Sequence, residues 1–203
     1  MMSTPKFLRV GLTGSIGSGK SLSLKYFQEN QWKTISCDTL VHNCLEHDEA
    51  VKQTLTEIFG ESIFDEQKRL IKRKMAKLMF ENLGLRQAAE AYLHPIVREL
   101  WQNSIMQEPL NHWVIEIPLL FEKNLEKSFD FVVCVGCGYN IQHQRLLNRG
   151  WNETDISQRL QAQLSLSEKI SRAHTVFWND GTPTWLQSQI HRWIHSVAPH
   201  SLL

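Results

Sequence analysis

The chain has 203 residues, 42% of them hydrophobic, with 22 Lys and Arg against 21 Asp and Glu, for a formal net charge of +1. That length suits one large domain, or a core with insertions, able to bury substantial apolar surface. The balanced charge excludes a global field drawing the chain to nucleic acid or acidic membrane, and no run of about eighteen apolar residues could span a bilayer.

The N-terminal stretch MMSTPKFLRV has no apolar leader region and flows into a strand, so the protein is expected to stay in the cytoplasm. The first strand is Phe7–Thr13. GSIGSGKS follows at Gly14–Ser21, a match to G-x-x-x-x-G-K-[ST], and Ser21–Asn30 then reads as a helix. Strand, glycine loop and helix are the arrangement that phosphate binding requires, because backbone N–H groups can ring an anion at the positive end of a helix. The loop residues Gly14, Ser15, Ile16, Gly17, Ser18 and Gly19, with Lys20, Ser21 and Leu22, are the candidate nucleotide-phosphate set. Lys20 is expected to reach the β- and γ-phosphates, and the Ser21 hydroxyl to ligate Mg²⁺. The alternative is a glycine-rich turn with an unused lysine.

A second strand runs Lys33–Cys37, and Asp38 follows at once. The stretch from Asp38 to Gln107 is mostly helical in pattern and far longer than a βαβ crossover needs, so it reads as an inserted subdomain. Val51, Leu55, Ile58 and Phe59 share one face of a helix there; further helices are read at Ile71–Asn82 and His94–Ile105. The third strand is His112–Ile117, with Glu116 inside it, and the fourth is Phe129–Val135. A polar, Arg-bearing helical excursion covers Tyr139–Ala173; the fifth strand is Thr175–Trp178, and a last helix starts near Pro183 with Leu186, Ile190, Trp193, Ile194 and Val197 on its core face. The expectation is an α/β fold of three layers. A five-stranded parallel sheet (1–38, 108–138 and 174–203) carries a helical acceptor subdomain (39–107) and a helical lid (139–173).

Ligands of open α/β sheets bind beyond the carboxyl ends of the strands, which directs attention to Asp38 and Glu116. Asp38 could equally cap a helix beginning at Thr39. A carboxylate within an apolar strand needs a partner to offset its desolvation, and Mg²⁺ would supply one for Glu116. Arg145, Arg149, Arg159, Lys169 and Arg172 could neutralise charge on a transferring phosphoryl group, although a solvated helix face explains any one of them as well. Arg145 and Arg149, four apart, would share a helix face and clamp one triphosphate. D-x-x-G and N-K-x-D signals are absent, which argues against a switch GTPase. Cys134 and Cys137 form a C-x-x-C, but Cys37 and Cys44 have the wrong spacing to complete a zinc site, so no metal or redox role is expected.

Several further strings, in this order, resemble the dephospho-CoA kinase family over nearly the whole chain. They are GLTGSIGSGKS (Gly11–Ser21), ISCD (Ile35–Asp38), LHPIVRE (Leu93–Glu99), IEIPLLFE (Ile115–Glu122), FDFVVCV (Phe129–Val135), QRLLNRG (Gln144–Gly150), QRLQAQ (Gln158–Gln163), EKISRA (Glu168–Ala173) and the Asn179–Gly181 turn. The resemblance implies ATP- and Mg²⁺-dependent phosphorylation of the ribose 3′-hydroxyl of dephospho-CoA, with Asp38 as the base and Lys20 and Arg145 as its catalytic partners. It also implies that Arg145 and Arg149 serve the triphosphate and that Asn179 and Gly181 lie by the adenine. His42, His94, Glu116 and Leu119, with Asp38, fall on the acceptor side, and Ser21 and Glu116 on the metal. Without the resemblance, His94 reads as a helix-entry residue before Pro95. Leu22, His42, His174, Trp178 and the turn GCGYN (Gly136–Asn140) depart from the family pattern. They leave open another small-molecule kinase, or a diverged nucleotide-binding protein without kinase activity. No nucleic-acid or membrane partner is expected. The sequence leaves the oligomeric state open, with a monomer as the expectation.

Overall fold

The computed structural model describes residues 7–199. The start of the N-terminal stretch read for a leader lies outside them. In chain order the elements are β1 (Arg9–Gly14), α1 (Lys20–Glu29), β2 (Lys33–Ser36), α2 (Cys37–His47), α3 (Glu49–Phe59), α4 (Lys72–Glu81), α5 (Leu83–Gln107), β3 (Trp113–Glu116), β4 (Phe131–Gly136), α6 (Tyr139–Leu147), α7 (Glu153–Gln161), α8 (Leu166–Arg172), β5 (Thr175–Trp178) and α9 (Pro183–Val197). The chain divides into two compact units, residues 1–36 with 108–203 and residues 37–107.

In the first unit the strands form one sheet in the order β2-β3-β1-β4-β5. All its pairings are parallel, with Leu12 beside Glu116 and Thr13 beside Cys134. The central strands β1 and β4 are almost wholly buried, which is why they read as continuous apolar runs. The order sends every strand's carboxyl end to the same edge, and that edge carries the loop after β1.

One face of the sheet is closed by α1 and α9. Phe27, Leu186, Ile190 and Ile194 are fully buried there, as the apolar stripe of α9 predicts. Each such side chain contributes about 1.5–3 kcal/mol by leaving water. Phe27, Trp32, Phe177 and Trp193 make tilted and edge-on ring contacts at 5.5–6.3 Å. Trp32, Trp101 and Trp113 are buried, whereas Trp178 and Trp185 are exposed.

His112 seals the amino-terminal edge of this core. Its ring stacks on Trp32 with centroids 4.5 Å apart, and its Nδ1 accepts the Leu8 N–H at 3.1 Å. Burial holds the imidazole below its ordinary pKa of 6.5. The unfolded chain therefore takes up this proton before the folded one does. The contribution to stability is complete above about pH 6.5 and is lost as pH falls towards the lower, folded-state pKa. We expect the urea midpoint to fall between pH 7.5 and 5.5, and to fall less in His112→Asn, which keeps an acceptor near the Nδ1 position. Equal losses in the two proteins would contradict this account.

In the second unit α2, α3, α4 and α5 enclose Leu45, Val51, Leu55, Phe59, Ile63, Met75, Ala89 and Leu93. Asp48 caps α3 by accepting from the N–H groups of Ala50 and Val51. Val51, Leu55 and Phe59 are buried as the helical spacing predicts, with Ile58 packed partly against them.

Two local expectations are corrected. Pro95 does not open a helix; it sits inside the 25-residue α5, so His94 is an interior, half-buried position rather than a helix entry. Proline removes one backbone donor there. Ala89, Leu93, Val97, Trp101 and Ile105, buried at every fourth position, carry the helix through. Nor does Asp38 cap a helix beginning at Thr39. The strand stops at Ser36 and α2 begins at Cys37, which puts Asp38 in the first turn rather than at a cap.

Candidate active site

The β1–α1 connection is bent by glycines. Gly14 has φ 145°, and a Cβ there would collide with the carbonyl oxygen of Val135 on β4. Gly19 has φ 105° in the left-handed region, and a Cβ there would run into the Asn179 amide. Ser23 is the first residue of α1 to bond back, to the Gly19 carbonyl at 3.0 Å. The amides of Ser21 and Leu22 are therefore among the donors that a helix start leaves without an intrahelical acceptor. No side chain caps this end, and no acidic residue stands in its first turn. The Lys20 ammonium, in a residue only 8% exposed, donates to the carbonyls of Gly14 and Ser15, both at 3.2 Å. The next residue, Ser21, is exposed. Uncapped amides, a positive helix end and a held ammonium suit a phosphate chain, and the adjacent exposed hydroxyl suits its cation.

The loop is braced from three places. Asn179, just after β5, donates from Nδ2 to the Ser18 carbonyl at 2.8 Å, and its own N–H donates to the Gly136 carbonyl at 2.8 Å. Gln142 of α6 donates to the Ile16 carbonyl at 2.6 Å. Arg145, one turn along α6, donates from Nη2 to the Asn179 carbonyl at 2.9 Å. The Nη1 of Arg145 is buried with no hydrogen-bond partner. A buried charged donor left unsatisfied is costly, and an anion in front of the loop would satisfy it. The expected pairing of Arg145 with Arg149 on one helix face is corrected: α6 ends at Leu147, and Arg149 lies in the exposed turn leading to Gly150, φ 81°.

Glu116 ends β3, 3% exposed, beside Leu12 of β1 and Ser36 of β2. The half-buried Leu119 follows it, and Thr13 donates to the Pro118 carbonyl at 3.2 Å. Lys169 and Arg172 are committed to this same segment. The fully buried Lys169 ammonium donates to the Pro118 carbonyl at 2.7 Å and pairs with Glu122 at 3.0 Å. Arg172 pairs with Glu126 at 2.6 Å and lies over the Phe121 ring. Both tie α8 to the β3 exit, so the sequence expectation that they neutralise a transferring phosphoryl is corrected. Arg159 lies 4.2 Å over the Trp151 ring. The C-x-x-C thiols are buried and free; burial pushes the Cys134 thiol up to about 11 and raises that of Cys137. Among the described residues no group of three metal-ligating side chains occurs, and no helix is long and apolar enough to cross a membrane.

In the helical unit Asp38 is exposed in the first turn of α2. One turn on, the Nδ1 of His42 lies 2.6 Å from the Lys72 ammonium of α4, and its Nε2 lies 3.2 Å from Glu46. His94 is half-buried on α5.

Sequence reading missed the bracing role of Gln142 and Asn179, and no local pattern signals it, because each bond joins positions more than a hundred residues apart. The structure also accounts for some unusual residues. The Nδ1 of His174 accepts the Val132 N–H at 3.0 Å, pinning the start of β5 to β4. Trp178 packs close to Gly136 and donates to Asp180 at 2.7 Å, while Asp180 accepts the Gly138 N–H at 2.6 Å. The odd turn and the odd tryptophan are thus one interlocked set. Gly181 is a close neighbour of Trp185.

Comparison with known proteins identifies relatives along nearly the whole chain. The family model for dephospho-CoA kinase matches residues 8–184. A dephospho-CoA kinase of Bacillus cereus is 32% identical over 192 residues, covering 91% of this chain and 96% of its own length. One from Chlamydia pneumoniae is 30% identical over 202 residues, covering 95% and 97%. Among solved structures, TT1252 from Thermus thermophilus superimposes with a TM-score of 0.80 at 28% identity, covering 94% of this chain and 97% of its own.

Proposed function

The chain belongs to the dephospho-CoA kinase family, and we propose that it transfers the γ-phosphoryl group of ATP to the ribose 3′-hydroxyl of dephospho-CoA, assisted by Mg²⁺. The observation that carries the ATP side is one ensemble of donors: the uncapped amides of α1, the Lys20 ammonium beneath them, and the unpartnered Nη1 of Arg145, whose other nitrogen is anchored to the residue bracing the loop. Donors held by such contacts need little reorganisation as charge moves onto the transferring oxygens.

In this reading the loop from Gly14 to Leu22 holds the phosphates, and Lys20 and Arg145 stabilise the growing charge. The exposed Arg149 reaches the triphosphate from the turn after α6. Ser21 and Glu116 would hold Mg²⁺, which when bound neutralises the phosphate oxygens. The Asn179–Gly181 turn borders the adenine. Asp38 orients the attacking hydroxyl and receives its proton, with His42, His94 and Leu119 on the acceptor side.

Incubation with ATP, Mg²⁺ and dephospho-CoA, followed by mass analysis, tests the proposal. The expected result is one phosphate gained by the acceptor for each ADP formed. ADP formation without acceptor gain would mean that water or another compound takes the phosphoryl group, and would refute it.

A further inference from the structure

We propose that His191 and His195 on α9 form a two-imidazole chelate for a borderline divalent cation such as Zn²⁺ or Ni²⁺. The two residues are one helical turn apart, and both are exposed. Spacing of four positions places side chains above one another on a helix face. Here the rings meet with centroids 4.4 Å apart at 78°, and the two Nε2 atoms share a hydrogen bond at 3.2 Å, whose proton must move to Nδ1 for both nitrogens to face one ion. Two nitrogens bound at 2.0–2.1 Å to one tetrahedral ion stand about 3.3 Å apart. The pair is therefore already set close to the bite of a single ion, and an exposed neutral imidazole costs little to strip of its water.

The surroundings leave that ion room for its other ligands. His191 also lines a groove of about 520 Å³ between α1 and α9, together with Glu29, Asn30, Gln187, Ser188 and Arg192. The Arg192 guanidinium, which also lines the groove, donates to the Ser188 carbonyl at 3.3 Å and lies over the Trp185 ring. Since no cluster of three His, Cys, Asp or Glu occurs among the described residues, the protein supplies two donors and solvent the rest. Imidazole nitrogen selects Zn²⁺, Ni²⁺ or Cu²⁺ over Mg²⁺, which prefers oxygen. The site is thus chemically separate from the oxygen-donor set proposed for Mg²⁺ at Ser21 and Glu116. It would also staple the last turns of α9, whose adjoining positions Ile190 and Ile194 are packed into the sheet's core.

The test is calorimetric titration of the nucleotide-free full chain with ZnCl₂, beside His191→Ala, His195→Ala and the double variant. Both residues are exposed and alanine favours helix, so the variants should fold; circular dichroism checks this. The wild type is expected to bind one equivalent more than the double variant, and each single variant to hold that equivalent at least about tenfold more weakly. Zn²⁺ should also raise the Tm of the wild type more than that of the double variant, because the unfolded chain does not keep the two rings together. MgCl₂ should produce no such difference. Identical isotherms in wild type and double variant, no binding by the wild type, or an equal difference with Mg²⁺ would each overturn the proposal.

Discussion

Lys20→Ala is expected to lower kcat by about 10³-fold while the fold survives. Lys20 is 8% exposed, and its ammonium is held by two carbonyls of the loop itself, at 3.2 Å each. It is a buried charge held against the loop rather than a mobile surface lysine. Alanine removes that charge from the place where negative charge accumulates during transfer. The structural cost is the loss of two charge-assisted hydrogen bonds, about 1.5–3 kcal/mol each, with the glycine bends unchanged. A folded protein with a lowered Tm and collapsed turnover is therefore the expected pattern, read by coupled ADP release and thermal melting. Lys20→Arg should restore little, because a planar guanidinium cannot occupy the place of a compact ammonium between those two carbonyls. Near-normal turnover in the alanine variant would remove the phosphate-loop assignment, and the proposed function with it.

The parallel sheet was legible because its central strands are buried along nearly their whole length and lie between recognisable glycine and helix signals. β2, β3 and β5 are bounded almost where the apolar runs suggest. The loop was legible because its chemistry is written in consecutive residues. The rest escaped for identifiable reasons. Pro95 misled because local proline rules are weaker than a stripe of five buried residues at fourfold spacing. Arg149 misled because the spacing argument presumes a helix that stops at Leu147. Lys169 is a lysine in an otherwise polar segment, and nothing local indicates that it is fully buried against Pro118 and Glu122. Asn179 and Gln142 act on the loop from the far end of the chain, through tertiary contact alone.

Asp38→Asn separates chemistry from binding. The side chain is exposed in the first turn of α2, so the substitution buries nothing and leaves no cavity. Its structural role is limited to a favourable charge near the helix start, about 0.3–1 kcal/mol. If Asp38 receives the proton of the attacking hydroxyl, the amide can still orient that hydroxyl but cannot take its proton. General bases contribute about 10²–10⁴-fold. The loose transition state of phosphoryl transfer leaves much of the proton in place until late, which puts the expected loss near the lower end, about 10²–10³-fold in kcat. The dissociation constant of ATP should be unchanged, because the donors proposed to hold it belong to the sheet-bearing unit. Raising the pH should not restore the rate, since no group has replaced the lost acceptor. Stopped-time product analysis gives kcat, and calorimetric titration with ATP gives the affinity. Were ATP to bind more weakly with kcat intact, Asp38 would be a nucleotide contact, and the proton would have to leave by another route.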